Sequence, residues 1–148
     1  MLHIKTPLIL HWGLSTPTRR IWLKMENLQP SGSFKLRGMG LLCSQAKAQG
    51  KHRVVCPSGG NAGFATAIAA ASLGLSACIV VPHTTPETTR ARIRKTGAEV
   101  IVHGKVWDEA NQRARQLSQD ADTEYVPAFD HLVSVSYTHL TLPTIYSV

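Results

Sequence analysis

Apolar and polar positions change their rhythm repeatedly along this chain, and each change marks an element. Residues 21–25 (IWLKM) form a short apolar run of strand character, and residues 29–32 (QPSG) follow as a turn. Ser33 stands at an N-cap position. From 34 to 49, apolar residues recur at helical spacing at Phe34, Met39, Leu42, Cys43 and Ala46. Gly50 stops that helix. Residues 53–56 (RVVC) read as a strand, 57–61 as a glycine-rich loop, and 62–73 as an alanine-rich helix closed by Gly74. A strand at 77–81 ends at Pro82. Pro86 suits the first turn of a helix that ends at Gly97. A strand at 99–102, a polar amphipathic helix at 106–119 and a strand at 124–126 complete the series.

Strands thus alternate with helices from residue 21 to about 127. That order predicts an α/β fold: a parallel twisted sheet with right-handed crossovers and flanking helices. The strand runs lack clean alternation, as expected where both faces of a sheet are covered. Ligands of such sheets gather at the carboxyl ends of the strands.

Composition narrows the field. A chain of 148 residues with 43% hydrophobic and 17% charged residues is globular and long enough for one modest core. Sixteen Lys+Arg against nine Asp+Glu give a formal charge of +7, which would suit an anionic partner. The positive charge is spread, however, with one cluster at Arg90, Arg92, Arg94 and Lys95. Neither an aromatic RNA-binding motif nor a helix-turn-helix pattern accompanies it. A solvated surface without a nucleic-acid partner is the expectation. Cys43, Cys56 and Cys78 lie in apolar runs without paired spacing, so buried free thiols in a reducing, cytoplasmic compartment are expected. No histidine stands at metal-ligand spacing. No secretory leader is evident, and no apolar run is long enough to cross a bilayer, so neither a metal nor a membrane partner is expected.

Two stretches carry candidate chemistry. The first is Ser33-Phe34-Lys35, at the mouth of a helix. Partial positive charge at the helix start, the nearby Arg37 and burial would all disfavour an ammonium there. A neutral lysine amine can act as nucleophile or Schiff-base former. An ordinary solvated lysine is the alternative, and Ser33-x-Lys35 as a serine–lysine hydrolase pair is another, although no oxyanion hole accompanies it. The second stretch is CPSGGNAGFATAIAAA, residues 56–71. Free amides at that helix start, with the Ser58 hydroxyl and the Asn61 amide, could hold a carboxylate or a phosphate. A glycine loop that serves only tight packing is the alternative. A dinucleotide site is excluded: Gly59, Gly60 and Gly63 have the wrong spacing, and the next strand ends without an acid.

In order and in combination, "LHIKTPL", "LKMENLQPSGSFKLRG", "PSGGNAG", "IVVPHTTP", "GAEVIVHGKVWDEAN" and "VPAFDH" resemble the serine dehydratases. These are the serine/threonine dehydratase branch of the pyridoxal-phosphate enzymes with the tryptophan-synthase β-like fold. The resemblance runs from about residue 2 to 131. It implies that Lys35 forms the Schiff base with pyridoxal 5'-phosphate, that Phe34 packs on the cofactor ring and that Asn61 bonds its phenolic oxygen. It implies that Ser58, Gly59, Gly60, Asn61 and Ala62 hold the substrate carboxylate. The implied reaction is α,β-elimination from L-serine, or L-threonine, to a keto acid and ammonia. Racemases of the family resemble Ser-Ser-Gly-Asn-His at this loop. Gly59 and Ala62 here favour elimination.

The resemblance also implies a domain division. Residues 1–30 would belong to a larger domain that is missing here, and 31–131 to the small α/β domain. Family enzymes are roughly twice this length and commonly homodimeric, with a phosphate-binding loop in their C-terminal half. Residues 132–148 contain no Asp, Glu, Lys or Arg and depart abruptly from the family pattern. They resemble ends produced when adapter DNA is read as coding sequence, and are expected to be non-native. The chain as written is therefore expected to hold cofactor poorly and to turn over little. The alternative function is a non-catalytic α/β module that binds a small anion at 58–62.

Overall fold

The structure, a computed structural model, describes residues 2–129. The elements run β1 (Leu8–Leu10), β2 (Trp22–Lys24), α1 (Lys35–Ala48), β3 (Arg53–Cys56), α2 (Asn61–Leu73), β4 (Ser76–Val81), α3 (Glu87–Arg94), β5 (Glu99–Val102), α4 (Trp107–Leu117) and β6 (Thr123–Tyr125). Single 3-10 turns at Trp12–Leu14 and Glu26–Leu28 flank β2. The expected non-native tail, 132–148, lies outside the described residues.

Four strands form one parallel sheet in the order β5-β4-β3-β6. Its two faces are sorted by the side-chain period of two. Val54, Cys56, Ile79 and Val81 point toward Leu36, Met39 and Cys43 of α1, the alanines of α2 and Ile93 of α3. Val55, Cys78 and Val80 point the other way, onto Ala110 and Ala114 of α4. Both faces are therefore buried, which explains the unbroken apolar strand runs. The three cysteines are buried and free, as expected. Small side chains at Ala62, Ala65, Ala69 and Ala70 let α2 lie close between α1 and the sheet.

Three sequence expectations need correction. The strand at 21–25 exists as β2 but does not join the parallel sheet. It pairs antiparallel with β1, with Leu8 opposite Lys24 and Leu10 opposite Trp22. Trp22 and Leu23 stay partly exposed, and among the described residues no second layer covers them. Ser33 does not cap α1. Phe34 occupies the cap position without a side-chain cap, and the first turn closes through Leu36 N to Ser33 O (3.4 Å) and Arg37 N to Phe34 O (3.0 Å). Among the described residues the buried Ser33 hydroxyl has no hydrogen-bond partner. Arg37 does not stand beside Lys35, because residues two apart on a helix do not share a face. It reaches back to Glu26 instead, with Nε to Oε2 at 2.9 Å and Nη2 to Oε1 at 2.7 Å.

The Arg37–Glu26 pair fastens the N-terminal segment to the α/β unit. Both side chains are nearly buried, at 11% and 12% exposure. Burial alone would push the Glu26 carboxyl up. Hydrogen bonds from Arg37, Thr6 and Gln29 outweigh it and bring the carboxyl down to about 2, from an ordinary 4.5. A depressed carboxyl stabilises the fold above its unfolded pKa, and that contribution is lost as pH falls through the folded value. Acid titration from pH 5 to pH 2 should therefore remove up to about 3 kcal/mol of unfolding free energy through this group. In Glu26→Gln, denaturant titrations should lose that part of the pH dependence. An unchanged acid slope in the variant would contradict the assignment.

Candidate active site

Chain direction decides where the chemistry gathers. The connection from α1 enters β3 at its amino end, so α1 runs against the strands and its first residue lies at the carboxyl edge of the sheet. The β3–α2, β4–α3 and β5–α4 loops and the segment after β6 reach the same edge. Lys35 is the first residue of α1 and is half-buried. Its Nζ donates to Ala128 O at 3.0 Å, just beyond β6, and lies 5.9 Å from the centroid of the Phe34 ring. Phe34 is 38% exposed. Lys35 also stands near the end of β3. Burial pushes the Cys56 thiol up to about 12, and the Thr66 hydrogen bond and the positive charge of Lys35 pull only weakly against it.

The glycine loop begins one residue beyond Cys56. Ser58 Oγ accepts from Gly60 N at 3.2 Å, which folds the loop over its own backbone. Helix α2 then starts at Asn61, and the helical pattern leaves the amides of Asn61, Ala62 and Gly63 without intrahelical acceptors. Ser58 and Gly59 are half-buried, and Gly60 and Asn61 are exposed. The Ala62 methyl is packed into the core, so only its backbone amide is available to a ligand.

Two of the glycines are required by close approach. A Cβ on Gly63 would lie 1.8 Å from Ser58 O, inside the backbone of the loop itself. A Cβ on Gly59 would lie 2.8 Å from Thr85 Cγ2 and 3.0 Å from Thr85 Oγ1, so Thr85 fills the space a side chain at 59 would need. Beside the loop is a cleft of about 210 Å³ bounded by Gly60, Asn61, Phe64, Thr89 and Arg92. The Arg92 guanidinium lies 4.1 Å above the Phe64 ring. The basic cluster is thus partly absorbed by structure, because Glu87 pairs with Arg90 and Arg94 and Arg90 also donates to His83 O at 2.6 Å. A larger hollow of about 690 Å³ opens at the opposite, amino edge, around Gly74, Ser76, Gly97 and Glu99. It contains none of the candidate residues.

The structure therefore places Lys35 and Phe34 at the same sheet edge as Ser58, Gly59, Gly60, Asn61 and Ala62. Sequence reasoning passed over Ala128, Thr85 and Trp107, which hold these parts in place. Of the three, only Trp107 left a signal: one large aromatic at the start of an otherwise polar helix.

The sequence model of the family described as "Pyridoxal-phosphate dependent enzyme" matches residues 1–145. The chain belongs to that family. It is 49% identical over 130 residues to a human protein named "Serine dehydratase-like", covering 87% of this chain and 40% of that protein. It is 43% identical over 141 residues to the L-serine dehydratase of Dictyostelium discoideum, covering 88% of this chain and 40% of that one. A fungal L-serine ammonia-lyase from Rhizomucor miehei superimposes with a TM-score of 0.83 at 38% identity, over 94% of this chain and 45% of that structure. The expected fold, the parallel α/β unit of the tryptophan-synthase β-like enzymes, is borne out. The chain spans about two-fifths of the length of these curated relatives.

The residues present fit the family cofactor on the chain's own geometry. A lysine amine stands at the ligand edge of the sheet with an aromatic ring 5.9 Å from it. The neighbouring loop carries no side chain at 60, where an added Cβ would meet only the Ser58 Oγ at 3.8 Å, so a flat, charged molecule can approach its backbone amides there.

Proposed function

We propose that this chain carries the reactive lysine and the substrate loop of a pyridoxal-phosphate-dependent ammonia-lyase acting on L-serine, with L-threonine the alternative substrate. The observation that carries this reading is the placement of Lys35 Nζ and the 58–62 loop at one sheet edge. Names of relatives support the choice of lyase, and Gly59 supports elimination over racemisation. The cofactor, when bound, supplies the aldehyde that an amino group can join and a ring that accepts an electron pair.

The chain's own groups do the rest. Lys35 would hold the aldehyde at rest and, once displaced by the substrate amine, would take the α-proton on Nζ. Phe34 would cover the ring, and Asn61 would hydrogen-bond its phenolic oxygen. The Ser58 hydroxyl and the amides from Gly60 to Ala62 would hold the carboxylate at the positive end of α2. Gly59, with Thr85 behind it, offers no acid or base to the opposite face of the substrate. The α-proton would pass to Lys35 Nζ and from there to the departing β-oxygen, so that the C–O bond breaks with loss of water and Lys35 ends neutral. The released aminoacrylate then hydrolyses to pyruvate and ammonia.

We further propose that residues 1–30 belong to a second, larger domain and that 31–131 form the small domain with the lysine and the substrate loop. A cytoplasmic setting and a homodimer complete the reading; the buried free thiols support the former. The protein at the relatives' length should form pyruvate from L-serine when supplied with pyridoxal phosphate, and should leave the D-serine pool unchanged. Accumulation of D-serine, or anion binding at the loop with no cofactor uptake, would replace this reading with racemisation or with a binding module.

A further inference from the structure

The two sides of the site come from segments far apart in sequence, and one side chain links them. Trp107 is the first residue of α4. Its indole Nε1 donates to Pro57 O at 2.7 Å, one residue before Ser58. Pro57 is fully buried, so the indole serves a carbonyl with no access to water. The same indole lies against the Phe129 ring, with centroids 4.9 Å apart and planes tilted by 34°. Phe129 follows Ala128, whose carbonyl receives Lys35 Nζ. A continuous path therefore runs from the lysine through Ala128 and Phe129 to Trp107, and from there to the root of the glycine loop.

We propose that Trp107 is a positioning residue that sets the glycine loop relative to the Lys35 amine, acting through Pro57 O on one side and the Phe129 ring on the other. The inference rests on the reading above in that both sides serve one amino-acid substrate. Trp107 itself touches neither Lys35 nor the 58–62 side chains in this path; it bonds Pro57 O and packs on Phe129. The expected signature is therefore a loop that loosens while the strands beneath it do not.

Amide hydrogen exchange on this chain tests it without cofactor. Trp107→Phe keeps a ring against Phe129 and removes only the N–H donor. Exchange at the Ser58 and Gly60 amides should quicken by about ten-fold or more, the expected effect of losing a hydrogen bond to a buried carbonyl. Exchange at 54–56 and 79–81 should hold its rate. Phe129→Leu keeps the donor but removes the ring that seats the indole, and should quicken Ser58 and Gly60 in the same direction by a smaller factor, about three-fold. No change at 58 and 60 in this variant would remove Phe129 from the path. Unchanged exchange at 58 and 60 in Trp107→Phe would overturn the proposal. So would equal acceleration across the strands, which would make Trp107 a general stabiliser.

A second readout uses the longer, cofactor-loaded protein. There KM for L-serine should rise about ten-fold in Trp107→Phe, with kcat within about three-fold. A fall in kcat at constant KM would also overturn it. Absence of L-serine turnover in the parent protein would instead sink the functional reading and leave the exchange result to stand alone.

Discussion

Replacing Lys35 by alanine should abolish reaction while leaving the fold in place. Pyruvate formation from L-serine by the protein at the relatives' length should fall by about 10³-fold or more, since one amine both anchors the cofactor and moves the α-proton. The visible absorbance of bound pyridoxal phosphate should disappear with it. Far-UV circular dichroism should not change, because Lys35 sits half-buried at the first position of α1 and the core of that helix is built from Leu36, Met39, Leu42, Cys43 and Ala46. Loss of the Nζ–Ala128 hydrogen bond should cost only about 1 kcal/mol of stability. Lys35→Arg should be nearly as inactive, because a guanidinium keeps its proton at any working pH and cannot form the carbon–nitrogen double bond.

The second large effect should fall on stability. Gly63→Ala places a methyl 1.8 Å from a backbone oxygen, and neither partner is a flexible side-chain tip that could turn aside. Helix α2 must then lift from the loop, or the loop must unfold. A loss of about 3 kcal/mol is expected, with a fall in Tm of about 10 °C for a chain of this size. Gly60→Ala provides the control. Its added methyl would meet the Ser58 Oγ at an ordinary 3.8 Å, and the change should be worth less than about 1 kcal/mol. Thermal melts that rank the two variants together would contradict the close-approach account of the loop. The contrast also separates two roles for adjacent glycines: position 63 lets the helix start under Ser58, whereas position 60 leaves the loop open toward a ligand.

Much of this arrangement could be read before any coordinates were seen. The runs at 53–56, 77–81 and 99–102 became β3, β4 and β5 within a residue, because strands buried on both faces carry dense apolar sequence. Helix ends were equally plain where glycine marked them, as at Gly50 and Gly74, both at positive φ. Partnership was harder. The run at 21–25 has strand character, but three paired residues do not encode which neighbour they pair with, and β1 opposite it was not foreseen. Ser33 has the chemistry of a cap but lost that role to the tight first turn of α1. Arg37 was placed beside Lys35 by sequence distance, and helical geometry sent it to Glu26.

The same limit applies to the site. Lys35 and Ser58–Ala62 stood out as candidates because each lies in a motif of local meaning, a turn before a helix and a glycine loop after a strand, and their proposed roles came from the resemblance of those motifs in combination. Ala128, Thr85 and Trp107 were not. Each acts across a gap of 20 residues or more in sequence: Ala128 on Lys35, Thr85 on Gly59, Trp107 on Pro57. No pattern along the chain records such contacts, since they arise only when strand order brings the loops to one edge.

The most direct measurement of the central claim is covalent mapping. Incubation of this chain with excess pyridoxal phosphate, reduction with borohydride and peptide sequencing by mass spectrometry should find the pyridoxyl group on Lys35. Labelling at Lys35 should fall relative to the other lysines of the same sample when L-serine is added, because its amine displaces Lys35 from the aldehyde while its carboxylate is held at the 58–62 loop. Label spread over surface lysines such as Lys47, Lys51 and Lys95, with Lys35 unmodified or indifferent to the competitor, would contradict the claim that one lysine and one glycine loop share a site.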